Sequence, residues 1–114
     1  MSVLAWLKGK LSSAEPGKQL LPITQSELRI WMKDRGVVLV DIREPEEHRR
    51  FALPGSLSMP LSRYPEKLPS KKSAEKIVFY CQSGMRTRMN AARLAASTDL
   101  PSFMLVAGLR GWSD

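Results

Sequence analysis

The residues best suited to chemistry fall in one seven-residue stretch, Cys81-Gln-Ser-Gly-Met-Arg-Thr87. Before it, Ile77-Val-Phe-Tyr80 is an apolar run of the kind that forms a buried strand; after it, the Ala-rich segment from Arg86 to Ser97 favours a helix. Cys81 therefore leaves the carboxyl end of a strand as the chain turns toward a helix N-terminus, which is where open α/β sheets carry their sites. Gly84 frees the backbone to curl, so successive N–H groups can form a cradle aimed at the sulfur. The cradle, the positive end of the helix and Arg86 all favour thiolate over thiol, and thiolate is the nucleophilic form. No general base is then required. The opposing reading is a buried, inert core thiol, since free cysteine is among the most buried residue types, but it gives Gly84 and Arg86 nothing to do.

Composition limits what else the chain can be. Its 114 residues are 43% hydrophobic and 25% charged, which suits one folded domain and excludes collagen-like, low-complexity and wholly disordered readings. One cysteine and one histidine, His48, exclude an internal disulfide framework and make a protein-only metal site improbable, so no metal or cofactor is expected. A net charge of +7, from 18 Lys+Arg against 11 Asp+Glu, admits nucleic acid, a membrane surface or a small anion without choosing among them. The Lys-rich segment from Glu66 to Lys76 lacks the interleaved aromatics of a single-strand binder and reads as solvated surface, so no nucleic-acid partner is expected.

The elements that must position Cys81 follow from patterning. Residues 1–19 read as an apolar and linker segment and 20–114 as the domain. Val3, Leu4, Leu7 and Leu11 lie near helical spacing beside Lys8 and Lys10; a helix packed on the domain or a frayed end is the first reading, membrane-surface contact the second. The apolar cluster is too short to span a bilayer and has no signal-peptide flanks, which makes a reducing cytoplasm the expected compartment. Leu20–Ile23 suits a short edge strand, because Pro22 cannot serve a central one. Thr24-Gln-Ser-Glu27 is a capping box opening a helix with Leu28, Trp31 and Met32 on one face, expected to stop near Gly36. Val37–Ile42 reads as a strand buried on both faces. Glu44-Pro45 opens a short helix to about Arg50, Leu53-Pro-Gly55 turns the chain, and Ser56–Met59 suits a short strand. In the helix after Cys81, Met85, Met89, Ala92 and Ala96 recur at helical spacing and read as core. Phe103–Val106 is a further strand. Strands alternating with helices predict an α/β fold with a mostly parallel sheet and helices on its flanks.

Several motifs together resemble the rhodanese-like family over roughly residues 20–112. Cys81 with Arg86 five positions on, and Gly84 between, resembles the family's active-site loop. Asp41, Arg43 and Glu47, then Pro54-Gly55 and Pro60, resemble its Asp-x-Arg-x-x-x-Glu signature with the Pro-Gly turn and later Pro; Gly108 and Trp112 resemble its closing Gly…Trp. Two departures stand out: Phe51-Ala52 where many relatives have Gly-His, and Ala107-Gly108 for a usual Gly-Gly. Neither is expected to touch the cysteine loop.

The resemblance implies a three-layer α/β fold and a sulfurtransferase. Cys81 thiolate would take the outer sulfur of thiosulfate or a persulfide donor, then pass it from a Cys81 persulfide to cyanide, an external thiol or a protein acceptor. The N–H groups of Gln82, Ser83, Gly84, Met85, Arg86 and Thr87 would cradle the negative sulfur, with Arg86 either orienting an anionic donor or bracing the loop. Arg88 and Arg93 read as solvated helix charges. Arg43 and Glu47, four apart, read as a structural pair. Asp41 reads equally as a pocket group or as a cap for the next turn, and His48 as part of a solvated charged run. The alternatives are a sulfur-relay or regulatory interaction module and, more distantly, a cysteine phosphatase or arsenate reductase of the same fold. Cysteine phosphatases place five residues between Cys and Arg; here there are four, Gln82 to Met85.

Overall fold

The computed structural model describes residues 19–63, 68 and 73–113; the 1–18 segment and most of the Lys-rich stretch lie outside them. The elements in chain order are β1 (Leu21–Ile23), α1 (Gln25–Trp31), β2 (Val37–Asp41), α2 (Pro45–Arg50), β3 (Leu57–Ser58), a 3-10 turn (Leu61–Arg63), β4 (Lys76–Tyr80), α3 (Met85–Met89), α4 (Ala91–Ala96) and β5 (Ser102–Leu105). The five strands among the described residues are all parallel, in the spatial order β1-β5-β4-β2-β3. Pro22 is accommodated because β1 is an edge strand, as expected of a residue with no N–H to give.

The register places the site. Central strands β2 and β4 pair from Val37 opposite Lys76 to Asp41 opposite Tyr80. Their ends are therefore level, and the next residues, Ile42 and Cys81, emerge at one edge. The Ile42 N–H donates to the Tyr80 carbonyl at 3.1 Å.

Side chains alternate across the sheet with the two-residue period of a strand. From β4, Ile77, Phe79 and then Cys81 join Val40, Ile42, Leu94 and Ala95 on one face. Val78 and Tyr80 join Leu28, Leu39, Leu53 and Leu105 on the other. Helix α4 thus covers the first face and α1 the second, giving the three expected layers.

Several expectations need correction. Helix α1 has the capping box but ends at Trp31 rather than near Gly36. Its exit tightens into i→i−3 bonds, Lys33 to Ile30 and Asp34 to Trp31, and the Asp34 carboxylate then accepts the Gly36 N–H at 2.9 Å. The helix after Cys81 is two helices broken at Asn90, whose side-chain amide takes the Arg86 carbonyl at 2.8 Å in competition with the ladder. Met85, Met89, Ala92 and Ala96 lie on the exposed side; the inward stripe is Thr87, Ala91, Leu94 and Ala95. Lys76 is not free surface, for its ammonium sits 4.1 Å from the centroid of the Trp31 ring. Trp31 itself meets Phe103 edge-on at 4.8 Å, a packing contact.

Candidate active site

Cys81 directly follows β4, and its side chain is fully buried. Burial is common to inert and reactive thiols. What sets this one apart is a backbone donor: the Gly84 N–H points at Sγ with a 3.1 Å separation. The bend that aims it requires Gly84 to adopt φ +90, in the left-handed region where glycine is at ease, and Gly84 is also the N-cap of α3. Thr87, one turn later, is buried and holds the loop from inside. Its hydroxyl donates to the Gly84 carbonyl at 2.9 Å and lies 3.9 Å from Sγ.

Among the six N–H groups predicted to cradle the sulfur, only that of Gly84 bonds Sγ in this state; the Met85 N–H meets the Ser83 hydroxyl at 3.4 Å. Gln82 and Arg86 turn outward and brace the loop. The Gln82 side-chain oxygen accepts from Arg43 at 3.2 Å, and Arg86 grips Glu47 through two bonds, at 3.1 and 2.9 Å.

This corrects the expected Arg43–Glu47 pair. Arg43 precedes the helix, whose N-cap is Glu44, so the one-turn spacing does not apply. Instead Arg43 folds back on buried Asp41, with Nε on Oδ1 at 2.9 Å and Nη2 on Oδ2 at 2.8 Å. Asp41 also accepts the Arg43 N–H at 2.9 Å, the contact of a capping side chain, and it is fully buried. His48 is corrected too: it is half-buried, with Nδ1 2.9 Å from Asp41 Oδ2. Nothing in the spacing of the charged run pointed to that contact.

Electrostatics favours the charged forms of Asp41, Arg43, Glu47 and Arg86. Burial pushes the Asp41 carboxyl up, but hydrogen bonds from Arg43 and His48 outweigh it and hold the group below its ordinary value. Burial likewise works against the Arg43 charge, and Asp41 more than restores it. The Arg86 hydrogen bond lowers Glu47 and that pairing raises Arg86.

A second loop supports the first from below, contrary to the expectation that Ala107-Gly108 stands clear of it. The Leu109 N–H donates to the Cys81 carbonyl at 3.1 Å. A Cβ on Gly108 would fall 2.3 Å from that same carbonyl oxygen, so only glycine permits the approach. Gln25, which the sequence did not single out, ties this turn down by donating to the Gly108 and Arg110 carbonyls, both at 2.8 Å. Beside the loop opens a cleft of about 350 Å³, lined by Arg43, Glu47, Arg50, Phe51, Gln82, Leu109 and Trp112.

A parallel three-layer sheet with a cysteine at a strand end, under a glycine-bent loop closed by an arginine, is the architecture of a rhodanese-like domain. The family model of that description matches residues 24–114, and the chain belongs to this family. It is similar to a thiosulfate:glutathione sulfurtransferase of Saccharomyces cerevisiae, 35% identical over 66 residues, with 46% of this chain and 48% of that protein covered. The chain thus spans about half the length of that relative. A sulfurtransferase of Allochromatium vinosum is 30% identical over 77 residues, covering 68% and 72% of the two chains. Among solved structures, the human single-domain sulfurtransferase TSTD1 shares the fold at a TM-score of 0.59 and 22% identity, over 80% of this chain and 93% of that one. No helix among the described residues is long and apolar enough to cross a membrane.

Proposed function

We propose that this domain moves sulfane sulfur through Cys81, from thiosulfate or a persulfide donor to an external thiol, a protein acceptor or cyanide. The observation that carries the reading is the Gly84 N–H aimed at Sγ at 3.1 Å inside a loop closed by Arg86. In the first half-reaction the Cys81 thiolate attacks the outer sulfur of thiosulfate. The S–S bond of the donor breaks, sulfite leaves with the bonding pair, and a Cys81 persulfide anion remains. In the second, the acceptor attacks the terminal sulfur, the new S–S bond breaks, and the Cys81 thiolate is regenerated. Cyanide leaves as thiocyanate and a thiolate as its persulfide. Negative charge rests on sulfur before and after each step, so the loop donors act on the resting, transferring and loaded forms alike.

Gln82 through Thr87 are assigned to that loop, Cys81 as nucleophile and Arg86 as its brace. With a single cysteine among these 114 residues, the persulfide is discharged by an acceptor outside them. The name of the yeast relative makes thiosulfate and glutathione the pair to try first. The cytoplasm, where such a thiol stays reduced, is the proposed compartment.

Intact-mass measurement before and after thiosulfate, with cyanide added last, tests the proposal. The expected result is one sulfur atom gained on Cys81 and then lost as thiocyanate. An adduct that persists in Cys81→Ser, or no adduct at all, sinks it; phosphate release from an aryl phosphate at a comparable rate would favour a cysteine phosphatase.

A further inference from the structure

We infer that the cleft beside the cysteine loop binds the carboxylate-bearing tail of the thiol that discharges Cys81, with Arg50 as the anion-binding group; this rests on the sulfur-transfer reading above. The charges lining the cleft are unequal in availability. Arg43 is spent on Asp41 through two side-chain bonds, and both Glu47 oxygens are held by Arg86. Arg50, in the last turn of α2, is exposed and makes no hydrogen bond or ion pair to another described residue. A cation with no partner among the described residues, at the mouth of a cleft, can meet an anion from outside, and a guanidinium fork matches a carboxylate.

The rest of the lining selects an organic ligand. Phe51, Leu109 and Trp112 add apolar wall, with Phe51 43% exposed. A cleft of about 350 Å³ falls within the range that holds small organic molecules. Thiosulfate carries no carbon to place against those walls. A small thiol with a carboxylate on a short carbon chain uses both the wall and the cation. The cleft borders the backbone of the cysteine loop: Gln82 in its lining is the residue after Cys81, and the Leu109 N–H donates to the Cys81 carbonyl at 3.1 Å.

The test uses the full chain and has two readouts. In the first, Cys81 is loaded with thiosulfate, loading is confirmed by intact mass, and discharge is timed with 3-mercaptopropionate and with its methyl ester. The ratio of the two rate constants per unit thiol is compared between the protein and Arg50→Ala, which cancels their intrinsic difference in reactivity. The ratio should fall by about fivefold in Arg50→Ala and recover partly in Arg50→Lys; an unchanged ratio overturns the inference while leaving sulfur transfer standing. The second readout needs no sulfur chemistry. 3-(Methylthio)propionate and its methyl ester are titrated against ¹⁵N-labelled protein while the Trp112 indole N–H and Arg50 Nε–H resonances are followed. Saturable shifts with the acid, much weaker with the ester and lost in Arg50→Ala, are expected. Equal responses to acid and ester, or shifts that persist in Arg50→Ala, overturn the cleft assignment whether or not Cys81 loads.

Discussion

Arg86 closes the cysteine loop by presenting its two terminal nitrogens to the two carboxylate oxygens of Glu47, at 3.1 and 2.9 Å. The pair joins α3, which starts at the loop, to α2, which rises from the neighbouring strand β2. Two elements far apart in sequence are thereby fixed across the mouth of the site, and the planar fork sets direction as well as distance.

Glu47→Gln keeps the side-chain volume and loses the charge and one acceptor. The pair is 40% and 30% exposed, so solvent screening limits its contribution to stability to about 1 kcal/mol or less. Loss of position should cost more in rate: we expect kcat for thiosulfate to fall about tenfold. Glu47→Asp, which keeps the charge on a shorter arm, should recover part of it. Steady-state kinetics and urea unfolding on the same samples decide the matter. Activity that falls only in proportion to the folded fraction would mean the pair is merely structural.

The inverted face of α3 and α4 makes a sharp contrast between two apolar residues. Met89 is 76% exposed and Leu94 is fully buried. Met89→Gln should change stability by no more than about 0.5 kcal/mol, whereas Leu94→Ala should cost about 2–5 kcal/mol. Chemical denaturation of both variants checks this, and a Met89 cost comparable to that of Leu94 would restore the methionine stripe to the core.

That inversion shows where patterning succeeds and where it fails. The strands were readable because runs such as Val37-Val-Leu-Val and Ile77-Val-Phe-Tyr80 are buried on both faces, so every position carries the signal. Caps were readable at Thr24 and Glu44-Pro45 because they are local. The helix face was misread because hydrophobicity ranks Met above Thr, while Thr87 is buried for its hydrogen bond to Gly84. In the site, Cys81, Gly84 and Arg86 were legible from adjacent residues. Arg86–Glu47, His48–Asp41 and Gln25–Gly108 join separate elements, span 39, 7 and 83 positions, and leave no periodic trace.

The turn under the loop should respond in opposite directions at neighbouring positions. Ala107 sits at φ +68, the sole non-glycine with positive φ among the described residues, and its Cβ crowds the backbone there. Ala107→Gly relieves this at some cost in unfolded-chain entropy, for a net gain of about 0.5–1 kcal/mol. Gly108→Ala drives a Cβ to within 2.3 Å of the Cys81 carbonyl oxygen, so it should destabilise by about 2–4 kcal/mol and displace the loop. Thermal melts and persulfide loading measured together provide the check; a tolerated alanine at 108 with normal loading would contradict the close approach.

Acid should weaken the fold through Asp41. Its carboxyl is fully buried, yet hydrogen bonds from Arg43 and His48 hold it below the ordinary 3.8. Because the folded value is depressed, the stability this group contributes is complete above the unfolded value and is lost as pH falls through the lower folded one. Glu47, depressed from 4.5 by its hydrogen bond from Arg86, acts in the same sense. The urea midpoint should therefore stay level from neutral pH to about 5 as far as these two groups are concerned, and drop steeply below about 4. Following the Asp41 carboxyl carbon by NMR separates it from the other acids. A titration midpoint at or above 3.8 would mean that burial, not Arg43, governs this carboxylate, and that the Arg43 side chain is not held where it supports Gln82 and the cysteine loop.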